Sequence, residues 1–285
     1  MDMKSLGIMQ GRLTPSNGRG IQFFPFENWK NEFVIGRNIG ISEIEWIFDY
    51  PDFENNPLWS DEGIKSVRAA IEQTGVIIRS VCFDYFMRRP FFKCEGYESL
   101  ALHRENLEYA GRILSAMADV GASLLEIPLV DDSSIRNNTE EERVVDYIRE
   151  VLEIADSYNI MVGCETDLPP GKFRIFLESV KSENVYANYD SGNSSGLGYD
   201  HEEEIMSLGD YIANVHVKDR KIHGTTMDLG SGSADFDKVF SALKKIGYCK
   251  SILLQAARGV DGQEESQIRS QLRFVSSYCE KYGLE

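Results

Sequence analysis

The chain has 285 residues, 42% hydrophobic and 27% charged, with 8 prolines, a globular composition without low-complexity bias. Its formal net charge of −16 repels phosphate backbones, so nucleic-acid binding would need a strong local basic patch, and no run of Lys and Arg supplies one. The five cysteines (Cys82, Cys94, Cys164, Cys249, Cys279) are scattered, odd in number and never spaced C-x-x-C, which points away from a disulfide framework or thiolate zinc site and fits a reducing, cytoplasmic setting. Met1 to Gly11 lacks the apolar run of a signal peptide, and no stretch approaches the roughly 20 apolar residues of a membrane helix, so no membrane partner is expected.

Eight short apolar runs suit buried parallel strands: Leu6 to Met9, Ile44 to Phe48, Val76 to Val81, Leu124 to Ile127, Ile160 to Cys164, Val185 to Tyr189, Ile212 to Val217 and Ser251 to Leu254. Helical patterns separate them. Trp29 to Ile39 and Asp61 to Thr74 fit helices. In Arg104 to Val120, Leu107, Ala110, Ile113, Leu114 and Met117 share one face at spacings of three and four. Thr139 and Glu142 read as a capping box opening a helix to about Tyr158, and Pro169 and Pro170 suit the first turn of the next. Asp200 can cap Glu202 to Leu208, Ser233 can cap Phe236 to Ile246, and a last amphipathic helix runs from about Glu264 to Tyr282. Strict alternation requires crossover connections, and eight units spread over residues 1–285 predict an α/β fold, a single-domain (β/α)8 TIM barrel. The first strand lacks G-x-G-x-x-G, so a dinucleotide site is not supported.

Two long connections, Thr14 to Glu27 and Phe83 to Tyr97, follow the C-terminal ends of strands one and three and carry aromatics and arginines. They read as lids or as cover for the barrel mouth.

Glu165, Asp190 and His216 stand at the C-terminal ends of strands five, six and seven, about 25 residues apart. A barrel gathers such ends around one pocket. Two carboxylates and an imidazole suit a divalent ion (Mn, Zn, Mg or Co) with positions left for substrate oxygens. Lys218, Arg220, the Gly230-Ser-Gly232 turn before a helix and Arg258 fall in the loops after strands seven and eight, a frequent place for phosphate capture in this fold.

Cys164-Glu165-Thr166-Asp167, Tyr189-Asp190-Ser191-Gly192-Asn193 and Val215-His216-Val217-Lys218-Asp219, with the opening Gly7-Ile-Met-Gln-Gly-Arg12 and Ile44-Glu45-Trp46, resemble motifs of the xylose isomerase-like barrels, the sugar-phosphate isomerase/epimerase family. That superfamily includes keto-sugar and sugar-phosphate epimerases, inosose dehydratases, hydroxypyruvate isomerases and endonuclease IV. The resemblance spans essentially the whole chain. It implies that Glu165, Asp190 and His216 are three of four metal ligands. It further implies a fourth ligand at the end of strand eight, and a substrate pocket to which the motif residues Asn193, Gln10 and Trp46 contribute.

At that fourth position the family usually has Glu, as ligand and acid/base; here it is Gln255. An amide oxygen can coordinate a metal but cannot shuttle a proton. Isomerisation through an enediol, which needs one base and which Glu165 alone can serve, therefore gains on two-base epimerisation, unless Glu126 at the end of strand four or Asp49 after strand two supplies the missing proton. The expected partner is a small carbohydrate, phosphorylated or not, with a homo-oligomer left open. A dehydratase-type lyase and a non-catalytic sugar-binding barrel are the alternatives. The endonuclease type would need more histidines than the 4 present and a basic groove.

Overall fold

The computed structural model describes residues 6–284; part of the Met1 to Gly11 segment read above for an apolar run lies outside them. Eight parallel strands close on themselves: β1 (Leu6–Met9), β2 (Glu43–Ile47), β3 (Ile77–Cys82), β4 (Leu124–Leu129), β5 (Met161–Thr166), β6 (Val185–Asp190), β7 (Ile212–Val217) and, eighth in the wall, β10 (Ser251–Leu254). β1 pairs with both β2 and β10, which seals the barrel. The remaining two, β8 (Asp219–Arg220) and β9 (Thr226–Met227), form a small antiparallel ribbon in the loop after β7. All eight runs read from the sequence are wall strands, with ends shifted by a residue or two at most of them.

Outside the wall lie α1 (Trp29–Ile39), α2 (Asp61–Thr74), α4 (Gly96–Val120), α5 (Asn138–Asp156), α6 (Pro170–Val180), α8 (His201–Leu208), α9 (Phe236–Lys245) and α10 (Glu264–Tyr282), with two short helices at the mouth, α3 (Asp84–Arg88) and α7 (Ser191–Leu197). In α4 the stripe of Ala110, Ile113, Leu114 and Met117 is buried while Glu108 and Arg112 face out. Each large side chain in that stripe contributes about 1.5–3 kcal/mol by burial. The helix begins eight residues earlier than its apolar stripe suggests, and in this added stretch Ser99 and Leu102 are buried and His103 packs on Phe91 of the loop after β3.

Two caps differ from expectation. The α5 cap is Asn137, whose side chain accepts from Glu140 N at 3.0 Å, so Thr139 lies inside the helix. The α9 cap is Asp235, accepting from Lys238 N at 3.0 Å, in place of Ser233. In both, the residue just before the helix is the one whose side chain reaches the free amide three positions on.

Alternation along the strands decides what enters the barrel. Glu45 faces inward and Trp46 outward. Trp46 is fully buried against Phe24 and Trp29, with its indole N–H on Asn56 Oδ1 at 3.0 Å. The expectation that Trp46 lines the pocket is therefore corrected: it packs the layer between wall and helices.

Candidate active site

The upper interior of the barrel is polar, although the strands that build it are mostly apolar runs. On β2 and β7, Glu45, Asn214 and His216 alternate with outward Ile44, Trp46, Val215 and Val217. Glu126 on β4, Glu165 on β5 and Asn188 on β6 complete a ring around one imidazole. His216 Nε2 lies 2.7 Å from Glu45 Oε1, and His216 Nδ1 lies 3.3 Å from Glu165 Oε2 and 4.0 Å from Asp190 Oδ2. Asn188 Nδ2 donates to Glu165 Oε2 at 2.7 Å and Glu126 Oε1 at 3.1 Å, and sits 3.0 Å from His216 Nδ1. Glu45 also accepts from Asn214 Nδ2 at 2.9 Å and from Ser80.

Electrostatics divide this ring. Burial pushes the Glu126 carboxyl well above the ordinary carboxylate range, and the charge of Glu45 adds to the push. Burial acts the same way on Glu165, but the hydrogen bond and charge of His216, with Lys218 beyond, outweigh it and hold Glu165 below the usual range. Burial alone would discharge His216. The carboxylates of Glu45, Glu126 and Glu165 reverse that and raise its imidazole well above its ordinary value.

The ring opens upward into a cavity of about 580 Å³ at the C-terminal ends of the strands. Glu126, Glu165, Asn193, Lys218, Arg220 and Gln255 line it, as do Asp49, Asp84, Cys82, Arg88, Ile21 and Gln22. Asp190 caps α7, accepting from Gly192 N at 2.7 Å and Asn193 N at 2.8 Å, and turns its other oxygen to Lys218 Nζ at 3.4 Å. Gln255 accepts from Lys218 at 3.1 Å and donates to Gln22 Oε1 at 3.1 Å; Gln22 in turn donates to Asp84 Oδ2 at 2.6 Å. Asn193 donates to Glu165 Oε1.

Three expectations for this region are corrected. Arg258 does not line the cavity. Its guanidinium donates to the carbonyls of Gly11, Thr14 and Ile21 at 2.8–3.0 Å, stacks on Phe23 and fixes the loop after β1. The Gly230-Ser-Gly232 turn is no free anion nest, because Asp219 fills it: Gly230 N, Gly232 N and Ala234 N donate to its carboxylate at 2.8–3.0 Å. Gln10 is buried beneath the rim, accepting from Ile47 N at 3.1 Å, and does not line the cavity. The sequence reading passed over Glu45, Asn188, Asn214 and Asp84. A charged or amide residue between apolar neighbours inside a strand run, as in Ile44-Glu45-Trp46, was the available signal. Of the other histidines, His201 bonds Tyr189 at 2.7 Å and His103 pairs with Glu150 at 3.1 Å.

The donor set fits a divalent cation. Glu165, Asp190 and His216 each place one ligand atom within 4.8 Å of the others. The 3.3 and 4.0 Å separations bracket the roughly 3–4 Å spacing of donors around an ion with bonds near 2.1 Å. Glu45 takes the far nitrogen of the imidazole, the arrangement that orients a metal-bound histidine. Asn188 Oδ1 and Asn214 Oδ1 are buried acceptors without a hydrogen-bond partner in the same ring.

Residues 35–278 match the family model of the xylose isomerase-like TIM barrel. The chain belongs to that family. Among curated proteins it is 28% identical over 273 residues to the L-ribulose-5-phosphate 3-epimerase UlaE of Escherichia coli, covering 90% of this chain and 92% of the relative. Among solved structures it is similar to an L-ribulose 3-epimerase (TM-score 0.75, 16% identity, 98% and 96% of the two chains). It is also similar to an IOLI protein with a bound zinc atom (TM-score 0.74, 18% identity, 98% and 99%) and to 3-keto-D-glucoside 4-epimerase YcjR of E. coli (TM-score 0.72, 17% identity, 96% and 99%). At these identities the structures speak for the fold. No helix among the described residues is long and apolar enough to cross a membrane.

Proposed function

We propose that this barrel is a sugar epimerase or isomerase that moves a proton on the carbon next to a ketose carbonyl, with a divalent ion held by Glu165, Asp190, His216 and the amide oxygen of Gln255. The observation that carries this reading is geometric: Glu165, Asp190 and His216 bring three ligand atoms within 4.8 Å of one another where strand ends converge, and Glu165 opens, beside a second carboxyl, Glu126, on a cavity of about 580 Å³. When bound, the ion supplies Lewis acidity to the carbonyl and charge stabilisation to the enediolate.

The chain's own residues do the rest. Glu165, fixed by Asn188 and Asn193, takes the proton. Glu126 shares Asn188 Nδ2 with Glu165 and stands on the same side, so it can relay a proton along that face, as enediol isomerisation needs; epimerisation requires in addition a carrier on the opposite wall, where Asp49 and Asp84 also line the cavity. Lys218 and Arg220 meet substrate oxygens from the β7 side. Ile21 and Gln22 roof the cavity and exclude bulk water, while Arg258 holds their loop. The epimerase names of the relatives support the reaction class.

The test is deuterium exchange from solvent into L-ribulose, D-psicose and L-ribulose 5-phosphate, with Mn2+ supplied. Wild type should exchange at least one of them, and Glu165→Gln should exchange it about 10³-fold more slowly with its circular dichroism unchanged. No exchange by wild type on any of the three sinks the reading.

A further inference from the structure

The cavity already contains a positive charge at the place where the donor oxygens converge. Lys218 Nζ lies 3.4 Å from Asp190 Oδ2, 3.3 Å from Asn193 Oδ1 and 3.1 Å from Gln255 Oε1. Two of these three, Asp190 and Gln255, are residues assigned to the ion. An ammonium with three oxygen acceptors has its hydrogen-bonding capacity filled. Its side chain is about 14% exposed, so the charge is screened little by solvent.

The surrounding fold is shaped to hold this side chain. The Lys218 stem crosses the first turn of α7 at Gly192, where a Cβ would come within 2.4 Å of Lys218 Cγ and 2.7 Å of its Cβ. Any residue but glycine there would force the Lys218 stem to shift. Ser191 Oγ fixes the backbone beneath it, accepting from Lys218 N at 3.0 Å and donating to Lys218 O at 2.7 Å. The lysine is therefore directed inward by α7, and its partners are donors the ion would need.

We propose that Lys218 is a tethered cation that competes with the divalent ion for Asp190 and Gln255, so that metal binding requires its ammonium to withdraw. This rests on the reading of Glu165, Asp190, His216 and Gln255 as an ion site. Like charges a few ångströms apart in a poorly screened cavity repel strongly, and the two cations share oxygens that cannot serve both fully. The ion is therefore held weakly and exchangeably in the wild type, and neutralising position 218 tightens it.

The experiment is calorimetric titration of the full-length metal-free protein with Mn2+, for wild type, Lys218→Met and Lys218→Arg. Lys218→Met should bind at least about ten-fold more tightly than wild type, and Lys218→Arg, which keeps the charge, should stay within about three-fold. Equal or weaker binding by Lys218→Met overturns the proposal, as does an absence of Mn2+ binding in both proteins, since the freed oxygens should capture the ion. Should Lys218→Met fail to fold, wild type gives the same answer. Mn2+ should accelerate acylation of Lys218 by acetic anhydride, followed by peptide mass spectrometry, and an unchanged or slower rate overturns the proposal. The two readings separate cleanly. Sugar exchange by wild type without tighter metal binding in Lys218→Met leaves the epimerase standing and removes the competition; tighter binding without sugar exchange does the reverse.

Discussion

The rim and the floor of the cavity use the same ionic side chains in opposite ways. On the rim, charges are spent on backbone: Glu32 accepts from Gly11 N, Leu13 N and Thr14 Oγ1 at 2.9–3.0 Å, Arg258 donates to three carbonyls, and Asp219 collects three amides. On the floor, carboxylates face one another across a single imidazole, and buried acceptors are left unpaired. A charge saturated by backbone groups shapes a loop. A charge facing other charges with acceptors to spare holds a place for something that arrives from outside.

The difference can be broken from the rim first. Asp219→Ala leaves three loop amides without their acceptor and should destabilise the protein by about 3–4 kcal/mol in urea unfolding, because charge-assisted hydrogen bonds contribute roughly 1.5–3 kcal/mol each and water recovers part of them. A loss below about 1 kcal/mol would place Asp219 with the floor residues. Arg258→Ala should cost about 2–3 kcal/mol by the same measurement and raise KM, since the loop that carries Ile21 and Gln22 loses its clamp.

The rim should also give the pH dependence its slope. Burial lifts the Glu32 carboxyl to about 7, against the opposing pull of its donors. A folded value above the unfolded one means that the folded chain binds the proton more tightly. The associated stability is complete below about pH 4.5 and is lost as pH rises through 7, on the order of 3 kcal/mol for this group. Asp84 and Glu204, each raised to about 7, add in the same direction, and His201, lowered to about 4 by burial, opposes them. Replacing Glu32 with Gln should flatten unfolding free energy against pH between 5 and 7; an unchanged slope would show that Glu32 is ionised throughout. The smallest effect belongs to the floor. Since burial disfavours a charge on Glu126 and an amide keeps the shape of the carboxyl, Glu126→Gln should change stability by less than about 1 kcal/mol despite nearly complete burial, while slowing sugar exchange. A large loss of stability would mean that Glu126 is a structural carboxylate.

Patterns set by near neighbours were legible in the sequence. Every wall strand was, because a parallel strand covered by helices must be apolar over several residues. So were the three residues at consecutive strand ends, Glu165, Asp190 and His216, since barrel geometry converts regular spacing into proximity. The caps at Thr139 and Ser233 failed for a local reason: Asn137 and Asp235 offer better-placed acceptors within two residues. Arg258 and the Gly230-Ser-Gly232 turn failed for a distant one, whereas Lys218 and Arg220 do line the cavity. Nothing near Arg258 indicates that its partners are carbonyls 237–247 residues earlier, and nothing near Gly230 shows that Asp219 fills the turn. Glu45 and Asn214 were hidden because their strands lie far apart in the sequence, and only barrel closure shows that they share an imidazole.

Glu45 and His216 are separated by 171 positions, and β1 and β10 stand between their strands in the wall. During synthesis Glu45, Glu126 and Glu165 all leave the ribosome before the side chain that reconciles them. Until residue 216 is made, those three acids have no imidazole to share, and the wall that would enclose them still lacks β10. The last quarter of the sequence carries β10 and α10 and also the imidazole that the three acids share.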